Sequence, residues 1–174
     1  MSGEAIIDAS LFMSLNSTDD TIRRAGKRFF VEHLTTGAVM SLEQVGRCDA
    51  LIWGSYSREQ QDAYYPFMDN LHTDMKIDRI AYDEQDLRLA LESPVLADLP
   101  LTRRLTVAMV LNRGGVLHTA DPLLVGRDDL PLCALPLGAL PPGVVPDQDE
   151  ALFPEPLERM YQESLALLVK PEDV

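Results

Sequence analysis

Short apolar runs alternate with longer amphipathic stretches from one end of the chain to the other. Ala5-Ile6-Ile7, Ala38-Val39-Met40, Lys76 to Tyr82, Val116-Leu117 and Leu130 to Leu135 have the length and flanks of strands. Between them the period changes to three and four. Ser17-Thr18-Asp19-Asp20 offers cap residues for a helix from about Asp20 to His33, with Ile22, Ala25, Phe29 and Phe30 inward. Ser41 caps a helix from Leu42 to about Trp53, with Gln44 at the capping-box position. Leu11 to Asn16 reads as a helical or irregular continuation of the first strand, and Ser57 to about Met75 as two short helices broken near Pro66. A helix starting at Asp83 or Glu84 ends at Ser93-Pro94. The next opens near Leu99 to Thr102, has an apolar body, and stops at Gly114-Gly115.

Strands separated by helices of this length imply a parallel sheet covered on both faces, an α/β fold in a single domain. Residues 1–138 form that domain and 139–154 a proline-rich linker. Residues 155–174 carry a C-terminal helix, with Leu157, Met160, Tyr161, Leu165 and Leu168 on one side, packed on the domain or at an interface.

Gly115 to Leu124, G-V-L-H-T-A-D-P-L-L, is the stretch the rest is organised around. It reads as a central strand, and the carboxyl ends of such strands are where open α/β sheets bind ligands. Thr119 and Asp121 stand just past its end. Asp8 follows the first strand in the same way, so two carboxylates are expected at one acidic site.

Composition limits what that site can serve. The chain has 174 residues and a formal net charge of -13, against the positive balance expected of a non-specific nucleic-acid binder. The one basic cluster is Arg23, Arg24, Lys27 and Arg28, read as a solvated helix face or as a phosphate-contacting one. The opening residues lack the character of a signal peptide and no apolar run is long enough to span a bilayer, so a cytoplasmic protein is expected. Cys48 and Cys133 read as reduced core thiols rather than a disulfide or a metal pair. His33, His72 and His118 form no zinc motif, and His118 is expected to pack its ring on one face of its strand. Glu43 and Arg47 stand at i,i+4 as an ordinary helix pair.

Taken in order, I-I-D-A-S-L-F, the acid opening S-L-E-Q-V, K-I-D-R-I-A-Y-D-E-Q-D-L-R-L-A-L and V-A-M-V-L-N-R-G-G-V-L-H-T-A-D resemble a PIN domain over residues 5 to 135. The set is similar to an actinobacterial group of PIN-like proteins. The resemblance implies a metal-dependent endoribonuclease, in which clustered carboxylates hold Mg2+ or Mn2+ for phosphodiester hydrolysis of RNA. By motif position Asp8, Glu43 and Asp121 are the catalytic and metal-binding acids, expected to converge on one cation, with Thr119 and Ser10 in support. It also implies pairing into a homodimer.

One position departs from the pattern. A further aspartate is usual about eighteen residues upstream of the last acid, where this chain has Arg103 followed by Arg104. Either arginine would neutralise the acids without a metal. The alternative reading follows: a catalytically degenerate PIN-like protein that serves as a protein-binding or regulatory subunit.

Overall fold

Ile6 and Ile7 are neighbours in sequence and enter opposite cores. In the structure, a computed structural model describing residues 3–138 and 150–174, both side chains are fully buried, Ile6 with Val39 and Leu117, Ile7 with Met40 and Phe12. The cause is the two-residue period of a strand buried on both sides. Five strands, β1 (Ala5–Ile7), β2 (Ala38–Ser41), β3 (Ile77–Ile80), β4 (Val116–Thr119) and β5 (Leu132–Ala134), form one all-parallel sheet in the order β3-β2-β1-β4-β5. Helices cover both faces. α1 (Ala9–Ser14), α2 (Asp20–His33), α3 (Leu42–Ser55), α4 (Arg58–Asp74) and α7 (Leu157–Ser164) bury apolar side chains on the Ile7 side, and α5 (Glu84–Glu92) and α6 (Leu101–Arg113) on the Ile6 side.

The chain builds outward from β1 through β2 to β3, then returns to place β4 on the other flank of β1. This reversal opens a crevice at the carboxyl ends of β1 and β4. α6 runs back toward that crevice's opposite end, where Gly114 adopts φ +64 and stops the helix one residue before the turn into β4. α1 and α2 cross closely at Gly26, where an added Cβ would lie 2.1 Å from Ser14 Oγ.

Three local expectations are corrected. Ser57 to Met75 holds one helix, α4, with Pro66 inside it. Pro66 and Asp62 lie on the exposed side, so the carbonyl that loses its partner faces water, while Tyr64, Phe67 and Leu71 pin the buried side. Cys48 is buried as expected, but Cys133 is exposed, because β5 is an edge strand; both are free thiols. α7 is shorter than the expected Glu155 to Leu168 helix.

The stripe on α7 is covered by its own domain. Phe153 and Tyr161 pack their rings around Phe67 of α4, and Tyr161 donates its hydroxyl to the Leu15 carbonyl at 3.0 Å. Asn16 donates to the carbonyls of Ser164 and Leu167, both at 3.1 Å. Lys27, buried on α2, reaches Glu158 at 2.8 Å. Of the five stripe residues only Leu168 is exposed, so most of this apolar face is used within the chain. Of the expected linker, residues 139–149 lie outside the described residues. Among the described residues no helix is long and apolar enough to cross a membrane.

Candidate functional site

Asp8 ends β1 and caps α1, which fixes its carboxylate at the crevice. Oδ1 accepts from the Leu11 amide at 2.9 Å and the Ser10 hydroxyl at 2.6 Å, and Oδ2 accepts from the Thr119 hydroxyl across the sheet. The side chain is buried, and burial raises its pKa above the usual carboxylate range. The Ser10, Thr119 and Leu11 hydrogen bonds counter that rise, and the charge of Asp121 adds to it. Thr119 Oγ1 also accepts from the Asp121 amide at 3.0 Å, and Ser10 Oγ from the Ala120 amide at 3.0 Å. The two strand ends are thereby laced together by the hydroxyls of Ser10 and Thr119.

Asp121 is buried beside this lattice. Oδ1 accepts from the Leu123 amide at 2.9 Å and holds the turn after β4, while Oδ2 accepts from Arg103 Nε at 2.8 Å. Arg103 is therefore the arginine that enters the acidic site. Arg104, one residue along and about 100° around the helix, instead donates to the carbonyls of Leu99 and Ala97 and braces the start of α6.

Glu43 does not join the two aspartates. Its Oε2 accepts from Tyr82 OH at 2.6 Å and from Gln44 Nε2 at 3.2 Å, which draws it toward β3 and α5. Burial, followed by the bond to Glu43, raises the Tyr82 phenol's pKa and keeps it a donor. The side chain that enters the crevice is that of the next residue. Gln44 Oε1 accepts from the Ala9 amide at 2.9 Å, and Nε2 donates to Thr106 Oγ1 at 3.2 Å, joining α1, α3 and α6. The expected three-carboxylate convergence is corrected to two aspartates, an amide and an arginine. The expected Glu43–Arg47 pair is absent as well: Arg47 lines the Asp8–Asp121 cleft with Gln44, Arg103 and Thr106.

The donor set does not suit a hard divalent cation, which asks for several free oxygens. Every carboxylate oxygen of Asp8 and Asp121 already accepts a hydrogen bond, and a guanidinium stands against one of them. Among the described residues no group of three His, Cys, Asp or Glu is placed to hold a metal ion.

The basic cluster on α2 also resolves differently. Arg23 and Arg24 both pair with Asp20, at 2.6 and 2.8 Å, and Lys27 turns inward to Glu158. Three of the four basic residues are thus engaged by carboxylates of the chain itself. His118 packs against Phe29 and His33, with ring centroids 4.9 and 5.5 Å away, as expected of a ring laid on the sheet.

Gln44, Tyr82 and Thr106 were not legible as site residues. Gln44 carried a signal, its capping-box position, but that signal pointed to its own helix start rather than to the Ala9 amide.

A family model described as a family of unknown function (DUF6190) matches residues 1–174. No curated protein matches the chain.

Proposed function

The chain belongs to DUF6190, a family of unknown function, and from its own atoms we propose that it is a PIN-like protein whose hydrolytic centre is closed by an arginine and which acts as a protein-binding or regulatory subunit. The observation that carries this reading is the Arg103–Asp121 ion pair, 2.8 Å long with the carboxylate 8% exposed. It supplies positive charge where a nuclease of this kind would use Mg2+ or Mn2+, and it needs no metal to do so.

Two further features support a binding role. The net charge of -13 and the internally paired arginines of α2 disfavour RNA and favour a basic protein partner. Leu42, Leu101 and Leu123, each about half exposed, lie within two residues of Glu43, Arg103 and Asp121. Exposed apolar side chains of this kind are what a protein partner can cover and a polynucleotide backbone cannot.

The test is calorimetric titration of the full chain with Mn2+, run beside an assay of single-stranded RNA cleavage in Mg2+ and Mn2+. No metal binding and no cleavage are expected of the wild type, and Arg103→Asp should gain Mn2+ affinity. Cleavage by the wild type that is lost in Asp8→Asn and Asp121→Asn would restore the ribonuclease reading and end this one.

A further inference from the structure

Between α3 and α4 lies a second cavity that shares no lining residue with the Asp8–Asp121 cleft. Met40 of β2, Cys48 of α3, and Met68 and His72 of α4 all contribute to its walls, and Phe12, Val45, Asp49 and Tyr64 complete them. Met68 and His72 are four residues apart and so stand one above the other on the same face of α4. The Nδ1 atom of His72 is buried without a hydrogen-bond partner, on a side chain 9% exposed.

A buried imidazole nitrogen left without a partner is costly, and something normally satisfies it. A water molecule fits poorly, since it needs two to four polar partners and these walls are mostly carbon and sulfur. The Tyr64 hydroxyl is turned to Met13 Sδ at 3.6 Å, and the Asp49 carboxylate accepts from Tyr65 at 3.3 Å. Beside the Asp49 carboxylate, which Tyr65 engages, the cavity offers one thiol, two thioethers and one imidazole, the donor types that select a soft ion over a hard one.

We propose that this cavity binds a soft monovalent metal ion, Cu(I) or its analogue Ag(I), through the Cys48 sulfur, the Met40 and Met68 thioethers and His72 Nδ1. Binding exchanges the Cys48 S–H bond for a sulfur–metal bond, and the proton leaves to solvent; no electron is transferred. Burial holds the His72 pKa down to about 4, which leaves the ring a lone pair, and pushes the Cys48 thiol well up, so the ion itself must displace the thiol proton. The partly exposed Met68 gives the ion a way in from the surface. The site does not depend on the arginine-closed reading of the other cleft.

The experiment uses the full chain carrying Cys133→Ser, because that exposed thiol would take up soft metal by itself. Cu(I) is delivered without oxygen from its bicinchoninate complex, whose colour reports what the protein removes. One Cu(I) per chain is expected, with ultraviolet thiolate-to-copper absorption that Cys48→Ser abolishes. Met68→Leu and His72→Gln should each weaken uptake roughly tenfold or more, while Met109→Leu, buried on the other face of the sheet, leaves it unchanged. Circular dichroism confirms that each variant is folded. If Cys48→Ser does not fold, the conservative Met68→Leu and His72→Gln variants decide. Failure to take copper from bicinchoninate overturns the proposal, as does uptake that those variants do not weaken.

Discussion

Arg103 on the first turn of α6 and Asp121 beyond β4 are held 2.8 Å apart, eighteen residues from one another in sequence, and the contact settles the charge of a buried aspartate without an ion. Arg103→Ala leaves Asp121 buried with only the Leu123 amide as donor. The expected cost is about 1–3 kcal/mol in urea unfolding, at the lower end of what breaking buried pairs costs because Arg103 keeps some solvent contact. Mn2+ should recover part of that loss in the variant and do nothing for the wild type. Equal stability of both proteins, with no response to Mn2+, would show the pair to be idle.

Thr119→Val removes the donor to Asp8 Oδ2 and the acceptor of the Asp121 amide together. A loss of about 1–3 kcal/mol is expected near neutral pH. The sign of its pH dependence follows from Asp8, whose folded pKa is already raised by burial and would rise further without the hydroxyl. The penalty is therefore present above the folded pKa and shrinks as acid protonates Asp8 in both proteins. A penalty that grows on acidification would contradict this account of the lattice.

Lys27 and Glu158 form the charged contact between α2 and α7, with side chains 4% and 12% exposed. Lys27→Met should destabilise by about 3–5 kcal/mol because Glu158 is left unpaired, and the double change Lys27→Met with Glu158→Leu should regain most of it. Burial alone would raise the Glu158 pKa; hydrogen bonds from Lys27, Gln162 and the Phe153 amide overcome that and hold it below the usual range. The stability it contributes is present above the unfolded pKa and lost as pH falls through the folded one. Glu158→Gln should flatten that acid limb of the thermal-unfolding profile. An unchanged limb would assign the acid sensitivity elsewhere.

A chain ending at Asp149 loses the cover that Phe153 and Tyr161 give to Phe67, and with it Leu157 from the same core. It is expected to unfold at markedly lower urea or to precipitate. Light scattering of the full chain reads its oligomeric state directly. A truncated chain as stable as the full one would mean that the packing of α7 on α4 contributes nothing to the fold.

The order of elements was legible because most strand ends and helix starts carry a local signal: Asp8 directly follows an apolar run and caps α1, Ser41 and Asp83 cap helices, and Gly114 stops one. Arg103 was singled out only through the PIN-domain resemblance, which implies an aspartate about eighteen residues before the last acid. Glu43 was misplaced because neighbouring residues on a helix point about 100° apart, so sequence leaves open whether residue 43 or 44 enters the crevice. Tyr82, distant in sequence, settles it by hydrogen bonding to Glu43. Lys27 shows the same limit. A lysine at the edge of an amphipathic helix reads as solvated until a carboxylate from 131 residues away meets it.

Gln44 has an acceptor end committed to the Ala9 amide and a donor end committed to Glu43 and Thr106. Only an uncharged amide has both, and a glutamate there would bring a like charge against Glu43 and leave Thr106 without its donor. Replacement at 44 is therefore tolerable only in company with changes at 43 or 106, so these positions should be inherited as a set. Lineages that keep the glutamine should keep its neighbours, and those that lose it should have rebuilt the whole edge of the sheet.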